Sequence, residues 1–350
     1  MTSVSDSSAE QLLHDLVAIP SPSCHEGEAA AFLTAWMRRN GCDDAFVDEV
    51  GNAVGVIGTG SRQIVLLGHI DTFAGFPLVR LDGRALYGRG AVDAKGPLCT
   101  FAVAACGADL ADDVQVIVIG AVEEEAATSR GAHYALSQYQ PECCVIGEPS
   151  QWDRITLGYK GRLLLDWRWE GGLSHSAGEA PSPAERALSY WQDINTYCDQ
   201  FNSGIGSLYA RLDASLRDIN TWQEGVNGVA EMTVGFRLPP GVAPAEIERR
   251  FPASAGATVS ARGGECAFSG DKNSPLSRQF RRAIRAEGGT PRFVYKTGTS
   301  DMNIVGPRWG CPIVAYGPGD SALDHTPDEH INLDEYLRAI DVLTLVLETI

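Results

Sequence analysis

The sequence predicts an α/β domain with a mostly parallel sheet, interrupted by an α+β domain with an antiparallel sheet. Three features of the chain predict it. Short apolar runs, QIVLLG (63–68), VQVIVIG (114–120) and CCVIG (143–147), alternate with helical segments. Such runs suit strands buried on both faces of a parallel sheet. From about 158 to 265 the period changes: in GVAEMTVGFRL, Met232, Val234, Phe236 and Leu238 recur at every second residue, the mark of half-buried antiparallel strands. Charge divides the same way. Residues 158–265 hold 10 basic and 13 acidic residues, leaving −14 of the chain's −17 elsewhere. The expected domains are therefore 1–157 with 266–350, and 158–265 between them; 350 residues are ample for two.

The elements follow in order. Ser8 and Gln11 read as a capping box ahead of Leu12, Leu13, Leu16 and Val17 at helical spacing. IPSPS (19–23) ends that helix. A second helix runs from about Glu26 to Asn40, before Gly41. Helices are then expected over AKGPLCTFAVAACGADL (94–110) and SRGAHYALSQY (129–139), between the apolar strands. The inserted domain carries the strand GRLLLDWRW and the amphipathic helix PSPAERALSYWQDINTYCDQF. A helix over 275–288, a strand near 292–295, the strand CPIVAYG (311–317) and a helix from about Asp334 complete the first domain.

Composition excludes several functions. The chain is 44% hydrophobic and 21% charged, which is globular. A net charge of −17 without clustered Lys and Arg argues against nucleic acid. Nine cysteines, with no C-x-x-C pair and no secretory leader, suggest reduced thiols and a cytoplasmic location. No apolar run approaches the roughly 20 residues that span a bilayer, so no membrane partner is expected.

Ligands bind beyond the carboxyl ends of parallel strands. Here those ends are followed by His69 and Asp71, by Glu123 and Glu124, by Glu148, and by Asp324 and His325; Asp93 precedes a helix in GRGAVDAKG. Any one of these is ordinary, since acids at helix starts merely complement the dipole. Together they repel, and no matching set of Lys or Arg lies near them in sequence. Divalent metal resolves the repulsion. Imidazole plus carboxylate without thiolate suits zinc, with cobalt or manganese as substitutes, and the charge count suits two ions. The expected ligands are His69, Asp93, Glu124, Glu148 and His325. Asp71 is expected to orient His69 from behind. Glu123 is expected to be the general base and acid, acting on water that a metal pair acidifies. Glu125 is read as structural.

GHIDT, GRGAVDAKG, VEEEA, GEPS and DHTPDE, in that order and spacing, resemble the di-zinc amidohydrolases related to acetylornithine deacetylase, succinyl-diaminopimelate desuccinylase and carboxypeptidase G. LVAIPSPSCHEGEAAAFL and DEVGNAVG are also similar, and the resemblance spans the chain. It implies a zinc-peptidase-like catalytic domain, a lid domain through which relatives form homodimers, and a cis peptide after Asp93. It further implies a catalytic role for His175 in LSHSAG, reaching across a dimer to the oxyanion, and substrate contacts at Asn227, Arg237, Gly298 and Thr299. GEPSQWDRITLGYKGRLLL and KTGTSDMNIVGP most resemble LysK-type hydrolases of lysine and arginine biosynthesis. Those release lysine or ornithine from an amino-group carrier protein by cleaving the amide to its C-terminal glutamate. Lys160 and Arg162, with Lys296, would then receive an acidic carrier. The alternative within the family is an N-acetylornithine deacetylase or a related deacylase of small N-acyl amino acids. Two further readings are weaker. SGDK, KTG and SD resemble pieces of serine β-lactamases but stand in the wrong order. A metal-binding protein without catalysis has no use for an acid that is not a ligand.

Overall fold

The computed structural model describes residues 4–173, 180–254 and 256–350; His175 lies outside them. The chain forms two compact units. The first comprises residues 1–158, 269–295 and 300–350, the second 159–268 with 296–299. The boundaries expected from sequence stood at 157/158 and 265/266; the short return of 296–299 to the second unit had no sequence signal.

In the first unit α1 (Asp6–Ala18) and α2 (Gly27–Arg39) lead into β1 (Asp44–Val47), β2 (Ala53–Ile57) and β3 (Arg62–His69). The cap of α1 is Ser5, whose side chain accepts from the Ser8 amide, three residues earlier than expected. Next come β4 (Arg80–Asp82), β5 (Ala85–Tyr87), α3 (Lys95–Gly107), β6 (Val114–Ala121), α4 (Arg130–Gln138), β7 (Cys143–Gly147) and β8 (Arg154–Tyr159). The second unit holds β9 (Gly161–Gly172), α5 (Pro183–Phe201), β10 (Asp213–Glu224), β11 (Asn227–Leu238), α6 (Pro244–Arg250) and β12 (Ala257–Glu265). The chain then returns through β13 (Phe268–Ser269), α7 (Pro275–Ala286), β14 (Arg292–Lys296), α8 (Met302–Trp309), β15 (Ile313–Tyr316), β16 (His330–Asn332) and α9 (Leu333–Leu347).

The large sheet runs β1-β2-β6-β3-β7-β15-β8-β13, with β14 beside β8. Its centre, β6-β3-β7-β15, is parallel, and β1, β2 and β8 pair antiparallel at its flanks. The central strands end in register: His69 stands opposite Ala121, and Gly68 opposite both Gly120 and Gly147. A side chain at Gly147 would meet Phe101 of α3 at 2.9 Å, and Gly68 and Gly120 both abut Leu98. These small residues let α3 settle close onto the strand ends, which brings Asp93, just before that helix, to the same edge. Nearly all of α3 is buried, as a uniformly apolar helix must be. Lys95 is fully buried yet satisfied, donating to the Leu16 and Ile19 carbonyls at the end of α1. A small sheet, β16-β5-β4, lays β16 against β5.

The second unit is the expected α+β domain: an antiparallel sheet, β10-β11-β9-β12. Leu163, Leu165, Trp167 and Trp169 alternate inward from β9 and pack with Ala187, Tyr190, Ile194 and Cys198 of α5. Ser182 and Glu185 form the capping box that starts α5.

Candidate metal centre and active site

The expected histidines and acids follow the carboxyl ends of β3, β6, β7 and β15, and among the described residues Asp93, Glu125 and His325 lie close enough together to share an ion. His69 is buried at the last position of β3; its Nδ1 lies 2.9 Å from the Asp71 carbonyl oxygen. That bond makes Nδ1 the donor and leaves Nε2 free to serve as a ligand. Nε2 lies 3.1 Å from Asp93 Oδ1. On the other side of the same carboxylate, His325 Nε2 lies 3.0 Å from Asp93 Oδ2. Asp93 thus stands between two imidazoles with one oxygen toward each. The Asp93–Ala94 peptide is cis. Phe73 stacks on the His325 ring, centroids 4.3 Å apart and planes 11° from parallel.

The three acids after β6 part company. Their backbone amides are all held by buried carboxylates. Glu26 accepts from Glu123 N at 3.1 Å, and Asp71 from Glu124 N and Glu125 N at 3.0 Å each. Asn52 fixes the preceding Val122 amide. Glu123 adopts φ +61, a left-handed turn. Its carboxylate takes the Thr128 hydroxyl at 2.6 Å and Arg130 Nε at 3.0 Å, so it is engaged in its own loop. Glu125, read as structural from sequence, instead places Oε1 2.8 Å from His325 Nε2. Asp93, Glu125 and His325 each offer one ligand atom, all within 4.8 Å of one another. The charges of His69, Asp301, Glu125 and Asp71 act on Glu124, and that of Glu124 on Glu148. The sequence put the ligand at Glu124 and the base at Glu123; in the structure it is Glu125 that lies with Asp93 and His325, while Glu123 is taken up by Thr128 and Arg130. Sequence alone gives three adjacent acids no order; the left-handed turn at Glu123 and the amides held by Asp71 supply it.

The electrostatics fit a cation. Burial, then the charges of Asp301, Glu125 and Asp71, push Glu124 well above the ordinary carboxylate range; burial, then Glu124 and Asp93, do the same to Glu148. Burial opposes charge on Asp93 too, but hydrogen bonds from His325 and His69 hold it below its usual value. Those to Asp93 and Glu125 push His325 up to about 10. Carboxylates this crowded ionise together only beside concentrated positive charge. The donors are imidazole nitrogens and carboxylate oxygens without thiolate, which fits divalent ions of the zinc type. Asp93, with an oxygen toward each imidazole, has the disposition of a ligand shared by two of them.

The expected substrate residues divide less favourably. Arg237 Nη1 donates to Thr299 Oγ1 at 2.8 Å, and Arg162 stands opposite Arg237 in the β9–β11 ladder. Gly298 has open space where a side chain would stand. Asn227 begins β11 and Arg237 lies near its end, about 33 Å along an extended strand; within one chain they cannot hold the same substrate group. Asn227 donates to Glu170. Lys160 corrects the expectation of an open docking cation. It is fully buried, with Nζ 2.6 Å from both the Arg211 carbonyl and Asp213 Oδ2. Lys160→Ala is therefore expected to act on stability, costing about 1–3 kcal/mol through lost hydrogen bonds. Thermal unfolding should show a lowered Tm, and KM for substrate should stay unchanged.

Besides Glu125, sequence reasoning missed Glu26, Phe73 and Glu329. Glu26 and Glu329 both lie inside segments read for other reasons, Glu26 at the start of the second helix and Glu329 in DHTPDE. Their burial, 4% and 1% exposed, is what marks them, and burial of a lone acid has no signature in a single chain.

The chain is 47% identical over 349 residues, 97% of its own length and 96% of the relative's, to a LysW-lysine hydrolase of Deinococcus radiodurans. It is 25% identical over 358 residues, 97% of its length and 95% of the relative's, to a LysW-lysine/LysW-ornithine hydrolase of Saccharolobus islandicus. Among solved structures, the M20 family metallo-carboxypeptidase Sso-CP2 from Sulfolobus solfataricus superposes with a TM-score of 0.79, covering 97% of this chain and 98% of that one at 17% identity. That likeness concerns the fold. Residues 65–349 match the model of Peptidase family M20/M25/M40. The matched span includes every proposed donor, and with it the chain belongs to peptidase family M20/M25/M40.

Proposed function

We propose that this hydrolase releases lysine, and ornithine as a second substrate, from the C-terminal glutamate of an amino-group carrier protein. The observation that carries the substrate is the 47% identity, over nearly the whole of both chains, to a LysW-lysine hydrolase. In the proposed centre His69, Asp93 and Glu148 would hold one divalent ion, and Asp93, Glu125 and His325 the other, with zinc suited to these donors. Such a pair, when bound, polarises the amide carbonyl and acidifies water. Glu124 is the proposed general base. It directly precedes the proposed ligand Glu125, with its amide fixed by Asp71, and would take the proton from the attacking water and deliver it to the leaving amine. Glu123, engaged by Thr128 and Arg130, shapes the loop. Arg237 and Thr299, with Arg162 opposite, lie together within the second unit and are proposed as a carboxylate-binding group of that unit. A homodimer and a cytoplasmic setting complete the reading. No helix among the described residues is long and apolar enough to cross a membrane.

The test is a substrate panel with added zinc or cobalt: carrier-linked lysine, carrier-linked ornithine, N-acetylornithine and succinyl-diaminopimelate, with free amine as readout. Carrier-linked lysine is expected to exceed N-acetylornithine at least tenfold in kcat/KM, about 1.4 kcal/mol of discrimination. The reverse preference would remove the carrier and leave a small-molecule deacylase.

A further inference from the structure

A buried ion pair touches both loops of the candidate centre. Glu329 is 1% exposed and Arg89 8%. Glu329 Oε1 accepts from Val92 N at 3.0 Å and from Asp93 N at 3.1 Å; Oε2 receives Arg89 Nη1 at 2.6 Å. The second guanidinium nitrogen, Arg89 Nη2, donates to the His325 carbonyl at 3.5 Å. The β5–β16 ladder sets this up, because His330 pairs with Tyr87 and Gly88 N donates to the Glu329 carbonyl at 3.1 Å.

We propose that Arg89 and Glu329 form a positioning clamp that fixes the distance between Asp93 and His325, and thereby how tightly the chain grips its second divalent ion. Stability alone is a poor reason for such a pair, since well-packed apolar residues serve as well in a core. Its partners give a better one. The carboxylate holds the amide of the residue whose side chain faces both imidazoles. The guanidinium holds the carbonyl of one of those histidines. The planar guanidinium presents separate nitrogens to the two acceptors in a fixed fork, where a Lys would bring a single ammonium on a flexible stem. His325 itself has φ +60, a left-handed conformation that a residue other than glycine keeps only when its surroundings impose it. Arg89 secures its backbone from one side while Phe73 secures its ring from another.

The proposal rests on the two-ion reading above. Its test uses the full-length chain, stripped with a chelator and titrated with zinc by calorimetry. Cobalt absorption spectra and steady-state kinetics accompany the titration. Glu329→Gln keeps an oxygen for the two amides but turns a donor toward Arg89. It is expected to weaken one zinc equivalent by about 10–100-fold, to shift the cobalt spectrum, and to lower kcat with KM unchanged. Arg89→Met should do the same, and the double variant should be no worse than either single one. Unchanged zinc affinities and cobalt spectrum, with only a lowered Tm, would overturn the clamp. Should Glu329→Gln not fold, Arg89→Lys decides, because it keeps the charge and loses the fork: weakened zinc binding supports the proposal and wild-type affinity overturns it. Wild-type chain that binds no zinc would instead bring down the two-ion reading, and the clamp with it.

Discussion

Glu124→Gln is expected to lower kcat by about 100- to 10,000-fold, the usual range for a lost general base, with both metal equivalents retained. The substitution is isosteric and removes only the ability to take a proton. Metal content by elemental analysis and kcat on carrier-linked lysine are the two measurements. The neighbouring variants make the result specific. Glu123→Gln should keep kcat within a few-fold of wild type, because that carboxylate is bound to Thr128 and Arg130. Its cost should be seen in the loop, as lower Tm. Glu125→Gln should lose affinity for one metal equivalent, because its Oε1 lies with His325 and Asp93. Three adjacent acids then give three distinct signatures: proton transfer, loop stability and metal binding. If Glu123→Gln abolished turnover with metal retained while Glu124→Gln did not, the roles would belong one residue earlier, where the sequence first suggested.

The proposed displacement by one residue shows what a chain reveals by itself. Alternation of apolar strands with helices was enough to predict the parallel centre, and the period-two run in 228–238 was enough for the antiparallel insert, because burial on one face or two writes directly into residue order. Strand ends were equally legible. His69, Glu148 and the acids after Ala121 could be placed at one edge from the simple rule that side chains beyond parallel strands converge. Directions within a loop could not be read. Whether Glu123, Glu124 or Glu125 faces the centre depends on one left-handed residue and on amides caught by Asp71 and Glu26, which are distant in sequence. Lys160 failed for a related reason: a lysine after a strand resembles a surface cation until Asp213, 53 residues away, is seen to take it inside.

Asp93 carries the other large expectation. Each of its oxygens faces a different imidazole, so removing it deprives both ion positions of a donor at once, whereas His69→Ala or His325→Ala deprives only one. Asp93→Ala is accordingly expected to bind no tight zinc equivalent, and to lose more than about 1,000-fold in kcat, beyond the loss from a single electrostatic donor in an active site. Each histidine variant should retain one equivalent. Equilibrium dialysis with zinc counts the ions directly and separates the cases without reference to activity. Retention of one tight equivalent by Asp93→Ala, with loss of both in His325→Ala, would show that the carboxylate serves one ion and the imidazole anchors the pair. The reason to expect otherwise is geometric. No other carboxylate among the described residues lies within hydrogen-bonding distance of both histidines, and Asp93 is held there from behind by Glu329. A ligand that two dications would share has to be fixed in the backbone as well as in the side chain, and Asp93 is fixed in both, its amide by Glu329 and its carboxylate by the two imidazoles.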